Sequence, residues 1–91
     1  MYVRHTYRED IAGPAWLYRL FAGQTLAYVG VSSNPRARFT KHRYSKPWWS
    51  TVTRVEFRWH PSRESAFAAE RAAIAHENPL HNVARPKAVT H

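Results

Sequence analysis

No cysteine occurs among the 91 residues of this chain. Disulfides and thiolate metal sites are therefore excluded. Glycine is almost as scarce, with three residues, and no glycine-rich loop is present to cradle a phosphate. No apolar run approaches the roughly 20 residues that span a bilayer, so no membrane partner is expected. The opening MYVRHTYRED lacks the apolar core of a secretory signal, and a cytoplasmic location is the expectation. The six histidines form no zinc-spaced cluster. Acidic residues are missing altogether from Ile11 to Val55.

What is present is aromatic and basic. Four Trp, five Tyr and four Phe can fill the small core of one domain. The formal charge is +8. The acid-free span carries Arg19, Arg36, Arg38, Lys41, Arg43, Lys46 and Arg54. A basic span inside an aromatic-rich domain suits a polyanion, most often nucleic acid. A charge that serves solubility alone is the plainer reading.

The pattern predicts a small α/β (α+β) domain: a three-stranded, largely antiparallel sheet flanked by helices. Residues 1–14 read as an arm, 15–84 as the domain and 85–91 as a disordered tail. Trp16 to Phe21 and Leu26 to Val31 read as a hairpin around Ala22-Gly23-Gln24. A three-residue loop would pair Tyr18 with Tyr28, on one sheet face. Asn34 and Pro35 start a helix that runs to about Tyr44. On it Pro35, Arg38, Phe39 and His42 share a stripe. Arg38 and His42 there are either snorkelling or used. In "KPWWS", Trp48 and Trp49 cannot both face the core of an extended chain. One is expected to cap the core and the other to be partly exposed, where it could stack on a base.

Val52 to Trp59 alternates Val55, Phe57 and Trp59 with charged residues, as a half-buried strand does. Ser62 begins an alanine-rich helix to about Glu77, with Phe67 and Ile74 as its core stripe. Glu70 falls within that stripe, held either by an internal arginine pair or by a metal. Leu80 and Val83 are expected to anchor the tail, with Asn82 between them.

These residues resemble the GIY-YIG nuclease superfamily over roughly residues 15–84. Trp16-Leu17-Tyr18 is similar to its Gly-Ile-Tyr motif, with Trp16 in place of the glycine. Tyr28-Val29-Gly30 is similar to its Tyr-Ile-Gly motif. Arg38 lies eight residues after Gly30, and His42 follows one helical turn later. Glu70 in "AAERAAI" and Asn82 in "HNVA" complete the series, with His81 where an aromatic often stands.

The resemblance implies a DNA endonuclease that leaves 5′-phosphate and 3′-hydroxyl ends. It implies one magnesium or manganese ion held by Glu70, a phosphate held by Arg38 and Tyr18 as general base. Tyr28 would orient water or phosphate, and His42 would take a proton or hydrogen-bond a tyrosine. Asn82 would anchor the tail and shape the site. Arg38 and the metal are expected to favour the Tyr18 phenolate. Arg36, Lys41, Arg43, Lys46, Trp48 and Trp49 are the expected DNA contacts. The rival is a nucleic-acid-binding module on the same fold that does not cut. With one domain expected, either cutting is weakly selective or a targeting protein or second copy assists.

Overall fold

The computed structural model describes residues 13–82. The expected tail, most of the expected arm and Val83 lie outside them. Five main elements follow in order: β1 (Ala15–Ala22), β2 (Thr25–Ser32), α1 (Pro35–Ser45), β3 (Arg54–His60) and α2 (Arg63–Glu77). A 3-10 turn over Pro47–Thr51 joins α1 to β3. The sheet order is β2-β1-β3, antiparallel throughout, which is the α+β arrangement the pattern predicts.

Each boundary has a local cause. Gly23, at φ 63°, opens the hairpin turn in the left-handed region that glycine enters without steric cost. Asn34 caps α1 by accepting the Ala37 amide at 3.2 Å, and Pro35 needs no partner for a first-turn nitrogen. The Ser62 Oγ accepts the Ser65 amide at 3.1 Å and starts α2. Asn78, in the left-handed conformation, ends it.

The hairpin register differs from the predicted one. Tyr18 pairs with Gly30 and Leu20 with Tyr28. Then Phe21 pairs with Leu26, so Ala27 is an extra residue on β2. The loop has two residues between the strand ends, not three. The slip along β2 is one residue at Phe21 and two residues from Leu20 to Trp16, beyond the extra Ala27. Because side chains alternate with period two, Tyr18 and Tyr28 still share a face.

The sheet has two unlike sides. On the α2 side Ala15, Leu17, Val29 and Val31 pack on Ala66 and Ala73, with Leu26, Ala69 and Ile74 at the margin. Burial of one such Leu or Val contributes about 1.5–3 kcal/mol. The α2 stripe is therefore Ala66 and Ala73, one position from the predicted one, and Phe67 is 37% exposed. Alanine lets the helix axis approach the sheet, and the Phe67 ring instead lies near the Arg63 guanidinium. Arg19 and Glu77, a pair the sequence reading missed, join by two hydrogen bonds of 2.8 and 2.7 Å and hold the end of α2 to β1.

On the α1 side the packing is aromatic. Tyr18 and Leu20 are fully buried, and Phe39 presents its ring to Tyr18 edge-on at 5.1 Å. β3 is less covered than its alternation implies, with Phe57 and Trp59 about half exposed. Among the described residues no helix is long and apolar enough to cross a membrane.

Candidate active site

Tyr18 sits at the centre of the aromatic side, on the middle strand. Its ring lies across Gly30 of β2, where a Cβ would overlap the phenol oxygen and ring carbons. A side chain at position 30 is therefore incompatible with this ring position. The phenol oxygen is 2.9 Å from His42 Nε2. His42 is itself 96% buried on the inner stripe of α1, as its spacing predicts. Tyr28 stacks beside Tyr18 at 6.2 Å between ring centroids.

The charge environment fixes the protonation states. Burial, then Tyr28, pushes the Tyr18 phenol above the ordinary tyrosine range. Arg38 pulls the other way by charge and by side-chain hydrogen bonding, and Glu70 adds a smaller push upward. The expectation for Arg38 thus holds in direction, but burial outweighs it and Tyr18 is a neutral phenol in the isolated protein. Burial, then the positive charges of Arg38 and Lys46, pushes His42 down to about 4. A neutral imidazole accepts the Tyr18 O–H at Nε2 when its proton is on Nδ1, and donates to the phenol oxygen when its proton is on Nε2. The first tautomer leaves the Tyr18 oxygen lone pairs for another donor.

Glu70 is half-buried on α2, four residues after Ala66 and three before Ala73. It belongs to the electrostatic surroundings of Tyr18. Among the described residues no three His, Asp or Glu side chains converge on one point. A divalent ion here would have Glu70 as its protein carboxylate, with waters and substrate phosphate completing the shell. Magnesium accepts such a set.

Asn82 is buried at the outer edge of β2. Its Oδ1 accepts the Val29 amide at 2.9 Å, and its Nδ2 donates to the Val29 carbonyl at 3.1 Å. The amides of Leu80 and His81 bond the carbonyls of Leu26 and Ala27. Pro79 and Asn82, not Leu80, are the buried anchors, and Leu80 is exposed.

The two tryptophans correct the loop reading. A 3-10 turn, unlike an extended chain, lets neighbours lean the same way. Both are half-buried, Trp48 against Tyr28 at 5.3 Å and Trp49 against Phe39 at 5.5 Å. His81 stacks flat on Trp48 at 4.5 Å and 3°, a contact missed in the sequence because it joins residues 33 positions apart. Beside this stack an open hollow of about 670 Å³ is lined by Tyr28, Arg38, Lys41, His42 and Lys46, among others. Arg36 and Arg43 are exposed on α1, Arg43 with its guanidinium near the Tyr44 ring. Comparison with family models, curated proteins and solved structures found no match.

Proposed function

We propose that this chain is a metal-dependent endonuclease of the GIY-YIG kind, hydrolysing DNA to 5′-phosphate and 3′-hydroxyl ends. One observation carries the reading. Tyr18, Tyr28, Arg38, His42 and Glu70, from four elements, form one electrostatically coupled group beside a basic hollow.

In this reading Arg38 holds the scissile phosphate through its planar fork and opposes the charge that develops there. The Tyr18 oxygen takes a proton from the attacking water while its own proton passes to His42 Nε2. The resulting imidazolium is disfavoured by burial, Arg38 and Lys46, and the negative charge of a bound phosphodiester offsets that cost. Tyr28 orients the water or the phosphate. Glu70 would hold a magnesium ion, which would supply Lewis acidity against the charge on the leaving oxygen.

A non-cleaving DNA-binding module is the second reading, favoured by the basic hollow alone. Glu70 weighs against it, because a carboxylate near a bound polyanion repels it. Supercoiled, linear, branched and flapped DNA, each with magnesium or chelator, provides the test. Wild type is expected to cut only with magnesium. Glu70→Gln is expected to stop cutting while binding stays equal or tightens. Cutting by Glu70→Gln at the wild-type rate would refute the metal role.

A further inference from the structure

β3 is an edge strand whose outer side is bonded by no backbone group among the described residues. Such edges are ordinarily blunted by proline, by charged side chains, lysine above all, or by a bulge. Arg54–His60 contains no proline and no lysine, its charged residues are Arg54, Glu56 and Arg58, with Arg54 paired to Glu56, and its register with β1 is unbroken. The aromatics on its α1 face, Phe57 beside Phe39 and Trp16, and Trp59, are half exposed at 51% and 53%.

The five central residues of the strand, VEFRW, are complementary to their own reverse about Phe57, with Arg54 opposite His60 at the two ends. Turned antiparallel on itself, Phe57 meets Phe57. Val55 meets Trp59 twice, a β-branched residue against an aromatic. Glu56 meets Arg58 twice, opposite charges on one face. These are the cross-strand pairs that stabilise antiparallel sheets. Moving the centre by one residue destroys the match. Centred on Glu56, the pairing sets Glu56 against Glu56 and Arg54 against Arg58. Centred on Arg58, it sets Arg58 against Arg58.

We propose that β3 pairs antiparallel with β3 of a second copy about a two-fold axis at Phe57. The sheet becomes six-stranded, in the order β2-β1-β3-β3-β1-β2. A two-fold axis perpendicular to the sheet keeps each face on its own side. Both Tyr18 faces then look the same way, and Phe57, Trp59 and Val55 of the two copies form one aromatic ribbon between them. If the nuclease reading holds, one dimer presents a site to each strand of a duplex. The pairing itself does not rest on that reading, since the state of assembly is measured without any cleavage.

The test is sedimentation equilibrium of the full chain at about 100 µM and physiological salt, with circular dichroism to verify folding. Wild type is expected to be a dimer. Glu56→Arg and Arg58→Glu each set like charges opposite one another and are expected to weaken association at least about tenfold. Mixed one to one, the two variants restore both attractive pairs, so a heterodimer is expected by native mass spectrometry. Phe57→Lys places two ammonium groups at the axis and is expected to give a monomer. A wild-type monomer at this concentration, or a mixture that stays monomeric, overturns the proposal. So does a set of folded variants that keep the wild-type mass but bind single-stranded oligonucleotide more weakly. That result would give the strand to nucleic acid instead.

Discussion

The burial of His42 beside Arg38 and Lys46 ties protonation to stability. His42 titrates at about 4 in the folded chain, against an ordinary value of about 6.5. Between these values the unfolded chain binds a proton that the folded chain does not. The contribution to stability is therefore complete above pH 6.5 and lost as pH falls toward 4, to a total of about 3 kcal/mol. Urea midpoints from pH 4 to 7 are expected to rise with pH for wild type. His42→Gln is expected to lose most of that rise, and equal slopes in the two proteins would refute the assignment.

At the scale of elements, β2 serves the site from both sides. Gly30 leaves room for the Tyr18 ring, and Val29 gives both backbone groups to Asn82. Gly30→Ala forces ring or strand to move and is expected to cost about 1–3 kcal/mol, with the near-ultraviolet tyrosine signal altered. Asn82→Ala strips partners from one buried amide and one carbonyl. At about 1–3 kcal/mol each, it is expected to cost about 2–6 kcal/mol in chemical denaturation. The small penalty of a surface change, under about 0.5 kcal/mol, would show that Asn82 is no anchor.

For the whole molecule the governing quantity is charge. The +8 chain concentrates Arg38, Lys41 and Lys46 around one hollow, with Arg36 and Arg43 on the same helix. If the chain binds DNA as proposed, about four to six phosphate contacts are expected to give a log–log salt slope near −4 to −5. Arg36→Gln with Lys41→Gln is expected to reduce that slope by about 2. Fluorescence anisotropy with a labelled duplex from 50 to 200 mM salt measures it, and a flat titration would remove the polyanion reading.

Local rules were enough for the three strands, the two helices and their caps, because turn residues, alanine content and apolar period act over a few neighbours. They were enough for the α1 stripe too, where a 100° step decides which side chains align. The same local pattern left the Tyr18 and Tyr28 register two residues out, since the Ala27 bulge depends on how β2 meets both β1 and the Asn82 tail. It misplaced the α2 stripe by favouring the largest apolar residue, when close helix-to-sheet packing selects alanine. Period two showed that Phe57 and Trp59 share a face but not how far that face is covered. It could not show that Tyr18 is held neutral either, because that follows from burial and from Tyr28 on β2, which together outweigh Arg38 on α1. Alternation, capping and charge are carried by neighbours in the chain. Register, coverage and protonation are set between residues far apart in it, and only the folded chain brings those together.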